Sequence, residues 1–165
     1  MTITGIFHVA IKTNDLDATI HFYTTILGLR QVQRPNFGFP GAWLGCKTPV
    51  GEAIIHIYAG GPALGASGHA PIGTAAIDHV SLTAAGFDQF RQKLLEYGLE
   101  WREFIVPGTT LWQLFVYDPN GVLLELTFDG EAENGPLPDM SPGRAYVAGE
   151  SFFQPESYSR FAAVY

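Results

Sequence analysis

The feature that most constrains this chain is that it spells one pattern twice. Ile6-Phe7-His8-Val9-Ala10-Ile11-Lys12 returns as Ile77-Asp78-His79-Val80-Ser81-Leu82-Thr83, each a short strand carrying one histidine. The return continues along the chain: His8 and His79 are 71 positions apart, Leu16 and Phe87 71, Gly28 and Gly98 70, His56 and Glu125 69. A near-constant offset over four landmarks marks two copies of one supersecondary unit. Either copy alone leaves a sheet face unburied, so the two must be read together.

With the period of two that strands impose, His8 shares a face with Ile6, Ala10 and Lys12, and Phe7, Val9 and Ile11 form an apolar face suited to packing under a helix. His79 likewise sits with Ile77, Ser81 and Thr83, opposite Val80 and Leu82. After the first strand, Thr13-Asn14-Asp15 supplies helix-capping residues and Asp17 a carboxylate for the first turn. Leu16, Ile20, Tyr23 and Leu27 give the helix an apolar stripe, and Gly28 stands where a left-handed stop is expected. Strands are predicted at 29–34, 42–46 and 52–58, with the aromatic loop Phe37-Gly38-Phe39-Pro40-Gly41 as a candidate pocket lid. The second copy repeats the order: a helix over 87–97 striped by Phe87, Phe90, Leu94 and Tyr97, then strands at 100–106, 111–117 and 122–128, the last introduced by the turn Asp118-Pro119-Asn120-Gly121.

The expected fold is therefore α+β: two βαβββ modules forming a curved mixed-sheet cup, with a C-terminal extension. The first module is placed at 1–60, a Gly- and Pro-rich linker at 61–74, the second module at 75–130 and an arm at 131–165. Gly135-Pro136-Leu137-Pro138 and Ser141-Pro142-Gly143 argue against regular structure in the arm. Its aromatics Tyr146, Phe152, Phe153, Tyr158, Phe161 and Tyr165 argue against a free solvated tail. The arm is expected to dock on the body or on a second subunit and to end in a turn of helix after Pro155.

Composition narrows the function. Nine Lys and Arg against 16 Asp and Glu leave a net charge of −7, with no basic run to neutralise a phosphate backbone, so nucleic acid is not an expected partner. No signal-peptide pattern opens the chain, and no apolar run has membrane-spanning length, so a cytoplasmic protein is expected. The single cysteine, Cys46, has no disulfide or Cys-x-x-Cys partner and reads as a small buried hydrophobe. His21 and His69 read as surface histidines.

His8, His56, His79 and Glu125 differ from these. They occupy the first and last strands of two matching units, with a parity that sets them opposite the packed face; His56 goes with Ile54 and Tyr58, and Glu125 with Leu123 and Thr127. Imidazole nitrogen and carboxylate oxygen are donors for a divalent Zn, Ni, Fe or Mn ion, one per site, and such a set leaves positions open for substrate. The competing structural reading pairs Glu125 with an arginine such as Arg30 or Arg102.

On Phe-His-Val-Ala-Ile at 7–11, Ile-Asp-His-Val-Ser-Leu at 77–82 and Asp-Pro-Asn-Gly-Val-Leu-Leu-Glu-Leu at 118–126, the chain resembles the vicinal oxygen chelate superfamily. That superfamily includes glyoxalase I, methylmalonyl-CoA epimerase, fosfomycin resistance proteins, extradiol dioxygenases and bleomycin-sequestering proteins. The resemblance covers 3–130 and implies that His8, His79 and Glu125 are metal ligands, with His56 at a fourth position that often holds Glu or Gln in glyoxalase-like members. It also implies a choice of chemistries. Extradiol dioxygenases carry an acid-base histidine between the last two ligands and a tyrosine ten positions before the glutamate. Here no histidine lies between His79 and Glu125, and the tenth position before Glu125 is Phe115, with Tyr117 two further on. A phenyl ring donates no proton.

The resemblance therefore implies first a metal-dependent lyase or isomerase of glyoxalase type. Its ion would chelate a small substrate with two vicinal oxygens while Glu125 moves a proton through an enediolate. Ring-cleaving or other dioxygenase chemistry comes second, and a non-catalytic binder of small aromatic compounds third. The expected pocket is Phe37, Trp43, Tyr58, Trp112, Phe115 and Tyr117, and a homodimer is expected, because duplicated modules can complete a site within one chain or by exchange between two.

Overall fold

A computed structural model describes residues 7–47 and 54–161. The expected strand starts at Ile6 and Glu52, and Tyr165 of the arm, lie outside the described residues. The chain divides into two compact units, one holding the described residues to Pro71 together with Phe161, the other Ile72–Arg160.

In the first unit, β1 (Val9–Lys12), α1 (Leu16–Thr25), β2 (Arg30–Val32), β3 (Gly41–Gly45) and β4 (Ile55–Tyr58) follow in sequence. The strands form one sheet in the order β1-β4-β3-β2, with β1 parallel to β4 and the other pairs antiparallel. Asp15 starts α1 by accepting the Ala18 N–H at 2.9 Å. The helix packs on β2 and β3 through Ala18, Thr19, Phe22, Tyr23 and Ile26, a stripe rotated by about one residue from the expected one; Leu16, Ile20 and Leu27 flank it, half-buried. Below lie Ile11, Ala42, Leu44, Ile55 and Ile57, all buried. Full burial of each larger aliphatic contributes roughly 1.5–3 kcal/mol.

Three expectations fail here. Phe7 precedes β1 and is 59% exposed, so the apolar face starts at Val9. Cys46 is exposed at the end of β3 instead of buried. The stretch expected as a featureless linker begins with a short helix, α2 (Gly61–Leu64), and a 3-10 turn (Gly65–Ser67). Pro62 fits a helix start, and the buried anchors, Ala63 and Ala70, are too small to register as apolar periodicity. Asn14 also ties this stretch down, accepting the Ala70 N–H at 2.7 Å and donating to the Ala70 carbonyl at 3.3 Å.

The second unit repeats the plan with β5 (Val80–Thr83), α3 (Phe87–Tyr97), β6 (Trp101–Ile105), β7 (Leu111–Tyr117) and β8 (Leu123–Asp129), in the sheet order β5-β8-β7-β6. Again the first and last strands are parallel and the others antiparallel. Phe87 and Phe90 of α3 meet Phe128 edge-on, over buried Leu114, Val116, Leu124 and Leu126. Gly98 ends the helix in the left-handed conformation, φ +65°, that its missing Cβ permits.

The arm belongs to this unit as far as Arg160. Glu133 accepts the backbone N–H groups of Gly86 and Phe87 at 2.8 Å, capping α3 from outside the module. The Glu103 N–H donates to the Arg144 carbonyl and the Tyr146 N–H to the Glu103 carbonyl, both at 2.9 Å, which lays the arm along β6. After Pro155 the chain forms a 3-10 helix (Pro155–Phe161), where Tyr158 donates to the Tyr117 carbonyl at 2.5 Å. Burial pushes the Tyr158 phenol well above its usual range, so it stays a donor.

Candidate functional site

Each unit brings one pair of the predicted ligands together. In the first, β1 and β4 run in parallel with Ala10 opposite His56, and β3 sets Trp43 opposite His56 from the other side. The His56 ring lies between two others: His8 at 3.8 Å between centroids and 20° between planes, and Trp43 at 4.3 Å and 9°. His56 is 5% exposed, and its Nε2 has no hydrogen-bond partner among the described residues. Burial foremost, then His8 and Arg34, lower its pKa, so the ring is neutral at pH 7. Leaving a buried ring nitrogen unpaired costs about 1–3 kcal/mol. An atom in that position suits a ligand that arrives from outside the chain.

In the second unit, β5 and β8 set Ser81 opposite Glu125, and β7 sets Phe115 opposite it. Glu125 is 7% exposed. Its Oε1 accepts from Ser81 Oγ at 2.6 Å and Thr127 Oγ1 at 2.7 Å, while Oε2 faces His79 Nε2 at 3.3 Å. On the other side of that imidazole, Nδ1 lies 2.8 Å from Asp78 Oδ1. The hydrogen bond from His79 holds the Asp78 carboxyl below its ordinary value, so Asp78 is ionised and can only accept, and Nδ1 must carry the proton. Nε2 and Oε2 then face each other as a pair of atoms that a shared proton or a cation can bridge. A carboxylate on the far nitrogen is also the usual way a protein orients a metal-binding histidine.

The predicted pocket residues separate. Phe37 lies 6.0 Å from Trp43, and Tyr58 meets Phe39 edge-on at 5.2 Å, so Phe37, Trp43 and Tyr58 gather on the His56 face of the first unit. Phe115 meets His79 edge-on at 5.9 Å, but it is 1% exposed because Tyr146 of the arm stacks on it at 3.7 Å and 9°. Tyr117 is half-buried against Phe152 and Phe153 and lines a cleft of about 310 Å³ beside Asp78. Trp112 is elsewhere. It stands three positions from Phe115, an odd offset along the strand, so it faces α3, meeting Phe87 at 5.4 Å on the sheet face opposite Glu125.

Sequence reasoning missed several participants. Ser81 and Thr127 share strand faces with His79 and Glu125, so alternation pointed at both without giving their role. Tyr146 donates to Asp78 Oδ1 at 3.2 Å across 68 positions, a distance no local pattern spans. Burial and the neighbouring Asp78 push its phenol up to about 12. Among the described residues neither unit gathers three or more His, Cys, Asp or Glu side chains in an arrangement that could hold a metal ion; each unit offers a pair of the predicted ligands.

Two α+β modules of matching topology define the class of protein, one presenting a histidine pair and the other a histidine–glutamate pair, each from the residue just before its first strand and from its last strand. Residues 5–126 match the family model of the Glyoxalase/Bleomycin resistance protein/Dioxygenase superfamily, and the chain belongs to that family. Among curated relatives it is 27% identical over 128 residues to Glyoxylase I 4 of Arabidopsis thaliana, covering 75% of this chain and 70% of that one. It is 28% identical over 136 residues to lactoylglutathione lyase of Escherichia coli O157:H7, covering 79% and 96%. Among solved structures, lactoylglutathione lyase from Agrobacterium tumefaciens shares the fold with a TM-score of 0.58 at 17% identity, covering 79% and 98%. The fosfomycin resistance protein FosX from Listeria monocytogenes does so with a TM-score of 0.56 at 17% identity, covering 77% and 94%.

Proposed function

We propose that this chain is a metal-dependent lyase or isomerase of glyoxalase type, acting on a small substrate that presents two adjacent oxygens. The observation that carries the reading is the unpartnered, buried Nε2 of neutral His56. The opposed Nε2 of His79 and Oε2 of Glu125 are the matching pair from the second unit. His8, His56, His79 and Glu125 are the proposed ligands of one divalent ion, Zn, Ni, Fe or Mn, a donor set such ions accept. When bound, the ion would supply Lewis-acid polarisation of the two substrate oxygens. Glu125 is the proposed base: Ser81 and Thr127 hold its Oε1, which fixes the carboxylate plane and leaves Oε2 to take a proton from the carbon beside those oxygens. Trp43, Tyr58 and Phe37 are the proposed apolar wall.

The names of the curated relatives support lyase chemistry. A non-catalytic aromatic binder is less well supported, because two of the expected stacking platforms are already filled, Phe115 by Tyr146 and Trp43 by His56. A homodimer in the cytoplasm is the proposed assembly and compartment.

The test is hydrogen exchange. Protein purified without chelator and supplied with Zn, Ni, Fe or Mn is given the methylglyoxal–glutathione adduct and related hydroxycarbonyl compounds in heavy water. Deuterium should enter the carbon beside the oxygens, and Glu125→Gln should slow this by about 100-fold or more. Exchange that is unaffected by Glu125→Gln, or absent with every ion, contradicts the proposal.

A further inference from the structure

The register of the first sheet places Lys12 opposite Tyr58 and Tyr58 opposite Gly41, a row adjacent to the one that holds His56 and Trp43. Arg34, two residues beyond the end of β2, completes this row. A Cβ on Gly41 would collide with the Ile57 carbonyl and lie 3.2 Å from Arg34 Nη2, so glycine there leaves the surface on which the guanidinium rests. Phe37 and Phe39 flank it, each with its ring centroid 4.8 Å from Arg34 Cζ.

This cation lacks what the other arginines of the chain have. Arg91 is bound by Glu103 and by the carbonyls of Pro136 and Leu137, and Arg144 by the carbonyl of Trp101. Arg34 Nε and Nη2 are closed off from solvent and have no hydrogen-bond partner among the described residues. The described acidic residues of the first unit are Asp15, which caps α1, and Asp17, in that helix's first turn, and neither is on this sheet face. Nε and Nη2 form one edge of the guanidinium, with two parallel N–H groups at the spacing of the two oxygens of a carboxylate.

We propose that Arg34 is a recognition residue for a carboxylate carried by the molecule that binds the His56 face. Phe37, 51% exposed and followed by Gly38 at φ +75°, is the wall that swings out to admit it. For its consequence, that the substrate is an oxygenated acid, the inference rests on the proposed function; the carboxylate site itself needs no metal. Carboxylate binding also explains why a cationic group is fixed between two rings without a counter-charge among the described residues.

The experiment uses the full chain, stripped of metal and freed of chelator, with arginine ¹⁵Nε–H resonances followed by NMR. The Arg34 signal is identified by its loss in Arg34→Lys. Sodium oxalate should shift that signal saturably, while oxamide and sodium chloride of equal ionic strength should not. Arg34→Met should bind oxalate about tenfold more weakly or worse, and Arg34→Lys should retain part of the affinity. An Arg34 signal unmoved by oxalate, a shift reproduced by sodium chloride, or undiminished oxalate affinity in either variant overturns the inference. Should Arg34→Met not fold, the wild-type titration and Arg34→Lys decide it. Because no metal is present, a protein that never takes up a divalent ion can still pass, and failure here leaves the metal reading standing.

Discussion

Glu103 is 1% exposed and carries a full charge, which its partners explain. Arg91 binds both carboxylate oxygens, Trp101 Nε1 donates to one at 2.7 Å and the Asp139 N–H to the other at 2.7 Å. Burial alone would raise its pKa, but the donors together outweigh it and hold the carboxyl below its ordinary value. The stability this contributes is complete above the ordinary carboxylate range and is lost as pH falls through that range toward the folded value. Glu103→Gln should therefore cost about 3 kcal/mol at pH 7, measured by urea unfolding, with a smaller difference from wild type in acid. An equal difference at both pH values would contradict the assignment. At this scale alternation placed His56, Glu125, Ser81 and Thr127 on their observed faces. The same rule, applied to Trp112 and Phe115, would have separated them.

Among the elements, the arm is where sequence and structure part. Both modules were legible because hydrophobic period and turn residues are local signals, and α1 and α3 lie within two residues of their expected ends. The arm's partners were not, since Glu133, Tyr146 and Tyr158 each bind residues more than 40 positions away. Tyr146 separates two contributions, a ring stacked on Phe115 and a hydroxyl on Asp78. Tyr146→Phe keeps the stack and should cost under about 1 kcal/mol in chemical denaturation. Tyr146→Ala also loses the ring and should cost about 1–3 kcal/mol. Equal losses in the two variants would mean that the stack contributes nothing.

For the whole molecule, duplication explains why the proposed ligands are split: matching positions, just before the first strand and on the last, hold a histidine pair in one unit and a histidine–glutamate pair in the other. The repeat offset made those four residues readable before any coordinates. Arg34 was not singled out, because what marks it is the absence of a partner, and a sequence does not display that. The central claim is that both units donate to one ion, and metal-binding stoichiometry tests it most directly. Competition titration with Zn or Ni should give one high-affinity ion per chain. His8→Ala in one unit and His79→Ala in the other should each weaken it by more than about a hundredfold, beyond the loss expected for residues that only support ligands. Two ions per chain, or an affinity that depends on one unit alone, would contradict the account.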